Sequence, residues 1–86
     1  RLADNRVEAI EFSVGEYSRV VGTPLKDLHI KENVLIPYII RNGKLIMPGG
    51  LDVIKPNDTV IIITTQQYLD DIDKIINFDF FNNKKI

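Results

Sequence analysis

Any search for chemistry in this sequence begins at His29, its only histidine, because there is no cysteine to share the work. Without cysteine there is no disulfide and no thiolate nucleophile, and one imidazole cannot build the Cys/His sets that hold transition metals. A Ser-His-Asp arrangement would have to run through His29, which stands between Leu28 and Ile30. In that setting a lone histidine reads as a packing or surface residue. Acids number 12, yet none falls in a recognisable acid/base pair. The run Asp70, Asp71, Asp73 could be drawn as a cation site, but it reads more simply as a solvated helix face. Calcium shared between subunits stays open, since hard cations collect carboxylates from several segments. Gly49-Gly50 is too short for a phosphate loop, and neither GxGxxG nor a P-loop pattern occurs. Arg41 and Lys44 flank a turn and could grip an anion, against the default of solvated side chains. The residues themselves therefore predict no catalytic group, no metal site and no enzyme.

The elements that must carry these residues are short. Val7 to Val14 alternates Ile10, Phe12 and Val14 with Glu11 and Ser13, the period of a half-buried strand. In GTPLKDL, Thr23 as N-cap and Pro24 as first helical residue predict a helical link of one or two turns. Val34 to Arg41 is apolar on both faces, with Val34, Ile36, Tyr38 and Ile40 on one and Leu35, Pro37 and Ile39 on the other. Such a strand needs cover on two sides, and in a small domain the second cover can be another subunit. Pro37 predicts an open edge or a bulge. Asn42-Gly43 predicts a type I′ hairpin into a return strand at Lys44 to Met47, and Pro56-Asn57-Asp58 a second turn. Thr59 to Thr64 reads as a buried strand. Thr64-Thr65-Gln66-Gln67 matches a capping box and predicts a helix over 65–77, with Leu69, Ile72, Ile75 and Ile76 inward and Asp70 paired with Lys74. The expected fold is α+β: a small, mostly antiparallel sheet with a short helical link after the first strand and a C-terminal helix.

With 86 residues, a net charge of −1 and 44% hydrophobic residues, the chain fits one compact domain. So small a domain buries only about 60–65% of its unfolded surface, so an association partner would add needed burial. The near-neutral charge argues against a nucleic-acid partner. Apolar runs such as Val60 to Ile63 fall far short of the ~20 residues of a membrane span, so direct insertion is not expected. The sequence starts at Arg1, holds Met47 as its only methionine, and reads as an excerpt from a longer protein.

The pieces VEAIEFSV, VVGTPLKDLHI, VLIPYIIRNGKLIMPGG and VIKPNDTVIIITT follow one another in order. Together they resemble the C-terminal domain of Trk-type potassium-uptake regulatory subunits, the C-lobe of the domains that regulate potassium conductance. The likeness covers 7–77, leaving 1–6 as a lead-in and 78–86 as a tail. Two positions depart from the pattern: Gly50, Leu51 and Asp52 stand where the family usually has Gly-Asp-Thr, and Asn57 where it often has Gly.

The resemblance implies a cytoplasmic regulatory module at the inner face of the cell membrane. It would sense a ligand, form a homodimer and gate a membrane potassium transporter or channel. It implies no cofactor in this fragment, because the dinucleotide-binding domain that usually precedes it is not in this sequence. The same module could serve a transcription regulator or another transporter. In some relatives cyclic di-AMP sits between two such domains, held by an Asp-x-Arg pair and an Asn ahead of the apolar strand. Here LHIKENVLIP lacks Asp-x-Arg and places Asn33 out of register. The candidate ligand and dimer-interface residues are His29, Ile36, Tyr38, Ile39 and Arg41; the alternative is that they serve only as core and dimer contacts.

Overall fold

The computed structural model describes residues 6–66 and 68–78. Four strands form one antiparallel sheet: β1 (Glu8–Ser13), β2 (Val34–Arg41), β3 (Lys44–Ile46) and β4 (Thr59–Thr64), in the order β1-β4-β2-β3. The β-branched run of β4 takes the centre, where both of its edges are paired. Asn42 (φ 51°) and Gly43 (φ 77°) make the tight turn that sets Arg41 opposite Lys44. Asn57 takes φ 72° in the second turn, which closes with the Asp58 N–H donating to the Lys55 carbonyl.

Pro37 leaves its mark on the register. Leu35 pairs with Ile63 and Tyr38 with Ile61, so β2 spends one more residue than β4 across this step. The extra residue is a β-bulge, and it reverses which side chains point inward beyond it. Val34 and Ile39 are both buried, although strict alternation puts them on opposite faces. The expected face of Val34, Ile36, Tyr38 and Ile40 is thereby corrected. Beyond the bulge Ile39 and Arg41 join the inner side, while Tyr38 and Ile40 share the other side with Leu35.

The inner face packs Val34, Ile39, Val60 and Ile62 against Val14, Val20, Leu28, Ile54, Leu69, Ile72, Ile75 and Ile76. These covering residues come from loops and from the 3₁₀ turn Ile72–Ile75. Among the described residues there is no α-helix, and the two predicted helical elements are corrected. The link is a single 3₁₀ turn, Leu25–Asp27, with Pro24 rather than Thr23 at its N-cap. The Leu25 and Lys26 N–H groups donate sideways to the Asp52 and Gly50 carbonyls, and His29 (φ 55°) ends the turn. These are the first N–H groups of the turn, which a helix leaves without an internal acceptor, so the sideways bonds satisfy them while the left-handed backbone at His29 stops the helix from continuing.

The C-terminal segment fails as a helix for a similar reason. Thr64 Oγ1 donates to the Asn33 carbonyl and accepts from the Gln66 N–H, so the hydroxyl ties two loops; Gln67 lies outside the described residues. Tyr68 sits at φ 61°, which breaks any helical run. Ile72–Ile75 makes one 3₁₀ turn begun by Asp71, whose carboxylate accepts from the Asp73 N–H. Ile76 then runs extended and bridges Ile30, with Lys31 donating to the Ile75 carbonyl and Asn77 to that of His29. The expected inward residues Leu69, Ile72, Ile75 and Ile76 are buried all the same, and Asp70 pairs with Lys74 at 2.7 Å.

Tyr68 is exposed and holds a left-handed conformation that carries a penalty of about 1–2 kcal/mol for a residue with a Cβ. Replacing it by glycine should leave the domain about 1 kcal/mol more stable than replacing it by alanine. Equal denaturation midpoints for Tyr68→Gly and Tyr68→Ala would refute this account of the missing helix.

Candidate ligand and dimer surface

The outer side of the sheet is built by the same register that builds the core. Residues directly opposite across an antiparallel pair share a face. The outer face therefore holds Leu35, Tyr38 and Ile40 from β2, Leu45 from β3, Thr59, Ile61 and Ile63 from β4, and Ala9, Glu11 and Ser13 from β1. Leu35 and Leu45 are 64% and 63% exposed and Tyr38 is 38% exposed, so the apolar middle of this face lies open. Among the paired strand residues described on this face, Glu11 is the only charged one.

The five candidate residues divide across this architecture. Tyr38 lies on the open face. Ile36 sits in the bulge and packs partly against the core. Ile39 is fully buried between Val60 and Ile46. His29 is exposed in the link, where its carbonyl accepts from the Asn77 N–H at 2.8 Å. Sequence reasoning missed Leu35, Leu45, Ile61 and Ile63 as a surface. Proline inside a strand was the available signal, since a bulge there shifts the face of every later residue.

Arg41 is committed to the fold. Its Nε and Nη2 donate to the two carboxylate oxygens of Asp58 at 2.9 and 2.8 Å, and Nη2 also donates to the Val53 carbonyl at 3.0 Å. Asp58 is buried and accepts a further bond from the Lys55 N–H at 2.8 Å. The Arg41 hydrogen bonds hold the Asp58 carboxyl below its ordinary value, and the Asp58 hydrogen bonds raise Arg41 in turn.

A shallow cleft of about 510 Å³ opens elsewhere, between the end of β1 and the second 3₁₀ turn. Glu16, Tyr17, Asp70, Asp71 and Asp73 line it, and none of the five candidates does. Asp73 is occupied there by the Ser18 hydroxyl and the Arg19 N–H, and Asp70 by Lys74. Among the described residues no group of three or more His, Cys, Asp or Glu could hold a metal ion.

The TrkA-C domain model matches residues 9–77. The chain belongs to that family. Among curated relatives, a Trk system potassium uptake protein TrkA homolog of Archaeoglobus fulgidus is 39% identical over 63 residues, covering 73% of this chain and 14% of that protein. A Trk system potassium uptake protein trkA homolog 1 of Methanosarcina mazei is 26% identical over 74 residues, covering 86% of this chain and 18% of that protein. This TrkA-C domain thus spans less than a fifth of the length of these two relatives. A solved structure described as an RCK domain with cda superposes with a TM-score of 0.65 at 20% identity, over 80% of this chain and 97% of that one. At that identity the likeness concerns the fold, a small antiparallel RCK-like sheet.

Asp58→Asn should destabilise the domain by about 2–3 kcal/mol, because it leaves a partly buried guanidinium without its counter-charge. The folded-state value of Asp58 is depressed, so its contribution is present above about pH 4 and fades as the pH falls through that folded value. Arg41 stays protonated throughout. Urea titrations from pH 7 to 3 should therefore show a steeper acid loss for the wild type than for Asp58→Asn. Parallel curves would remove the ion pair from the explanation.

Proposed function

We propose that this TrkA-C domain is the ligand-sensing and dimerising module of a Trk-type potassium-uptake subunit. In this reading a second copy packs on the outer sheet face. The observation that carries the reading is the open apolar stripe of Leu35, Tyr38, Ile61 and Leu45 on a family member of this size. Such a face suits a sheet-on-sheet pair about 10 Å apart. With Glu11 as the only charge among the described strand residues of the face, these strands bring little like-charge repulsion together in two copies. Full burial of each leucine would stabilise the pair by about 1.5–3 kcal/mol.

The ligand we favour is a nucleotide of the cyclic di-AMP kind, bound between the copies near Tyr38 and the bulge at Ile36. The phenol ring offers a stacking surface for a base. The RCK neighbour described with cda, which we read as cyclic di-AMP, supports this choice. A ligand that contacts both copies shifts the monomer–dimer balance by its differential affinity alone, with no turnover and no catalytic residue. The names of the relatives, potassium uptake proteins of the Trk system, support a potassium transporter as the partner of the whole subunit, and we place the domain at the cytoplasmic face of the membrane beside it. No helix among the described residues is long and apolar enough to cross a membrane.

Sedimentation of the wild type, Leu35→Glu and Tyr38→Glu, each with and without cyclic di-AMP, tests the reading. The wild type should form a dimer that cyclic di-AMP tightens. Each glutamate should weaken the dimer about 100-fold, the equivalent of about 3 kcal/mol, without changing the far-ultraviolet spectrum. A wild-type monomer at high micromolar concentration, indifferent to nucleotide, would sink the proposal.

A further inference from the structure

The two edges of the sheet are treated differently. β3 is three residues long, starts at Lys44 and is followed by Pro48, all features that discourage strand addition. β1 has none of these protections. It runs six residues, Glu8–Ser13, without proline, glycine or lysine, and its register with β4 is unbroken. Pairing with β4 engages one edge of β1, and among the described residues the first backbone hydrogen bond to any other part of the chain is at Val14. Ile10 and Phe12 pack against the core yet remain half-buried at this margin.

We propose that the edge of β1 left open among the described residues pairs with β1 of a second copy, antiparallel, with Ile10 opposite the partner's Ile10. The choice of occupant and register follows from the strand's own pattern. Opposite residues in an antiparallel pair share a face, so a two-fold pairing keeps inner on inner only when a residue meets itself or one an even step away. Centring on Glu11 would set two glutamates against each other. A centre between Ile10 and Glu11 would join an inner face to an outer one. Centring on Ile10 places Glu11 opposite the partner's Ala9 and Glu8 opposite the partner's Phe12, with no like charges opposed. Ile10 then gains the apolar neighbour that the edge denies it. The result is one sheet running through both copies, the closed two-fold arrangement that oligomers favour. This contact is separate from the face-packed pair proposed above and does not rest on it.

The chain has no cysteine, so any disulfide in a single-cysteine variant joins two copies. Ile10→Cys and Ser13→Cys would be incubated separately with oxidised glutathione and read on a non-reducing gel. Covalent dimer should form at least tenfold faster at position 10, which meets itself, than at position 13, which does not. Ala9→Lys and Ala9→Glu supply a second readout at an exposed residue. Lysine opposite the partner's Glu11 should tighten self-association in sedimentation, and glutamate should weaken it. Both tests are repeated in Leu35→Glu, where the cross-linking preference and the Ala9 effects should persist even if the face-packed dimer is lost. Equal cross-linking at positions 10 and 13, or Ala9 variants that behave alike, would overturn the β1 pairing whatever the outer face does.

Discussion

The bidentate ion pair between Arg41 and Asp58 is the contact on which the rest of the domain depends. It joins the end of β2 to the turn that starts β4, and through the Val53 carbonyl it also fixes the loop between β3 and β4. The Asp58 carbonyl accepts from the Val14 N–H, and the Val14 carbonyl accepts from the Asn57 N–H, so the same turn holds the end of β1. Four pieces of chain therefore meet at Arg41 and Asp58. Burial makes the pair demanding: a charge shut away from water is tolerable only when its partners are fixed in place. Here the fork geometry of arginine and the turn N–H of Lys55 satisfy both oxygens.

The bulge at Ile36–Pro37 does for the two faces what the ion pair does for the loops. It lets Val34 and Ile39 both enter the core while Leu35, Tyr38 and Ile40 turn outward together. A regular strand of this sequence would send Ile39 outward and Tyr38 inward. The same step turns Arg41 toward Asp58. The core, the ion pair and the open apolar face are thus linked through one extra residue in one strand.

Much of this was legible in the sequence. Strand positions followed from alternation and β-branching, and the turns at Asn42-Gly43 and Pro56-Asn57-Asp58 from residues that accept positive φ. The burial of Leu69, Ile72, Ile75 and Ile76 was also readable, but the conformation that buries them was not. A spacing that fits a helix also fits a 3₁₀ turn followed by an extended bridge. The choice was made by partners far along the chain: Asn33 for Thr64, and His29 and Lys31 for Asn77 and Ile75. Arg41 looked like an anion grip because its acid lies 17 residues away, in a turn that reads as solvent-facing. Local propensity cannot see these partners.

The bridge from Ile30 to Ile76 also bears on how the domain is made. The innermost layer of the core is completed by the last described stretch of chain, and the strand order places β4 between β1 and β2, which precede it. Little can settle until the ribosome has released almost the whole segment, since the central strand emerges after both of its neighbours. During synthesis β2 has only the hairpin strand β3 to pair with and β1 waits unpaired, so folding should proceed at the slower pace of chains whose contacts join distant residues.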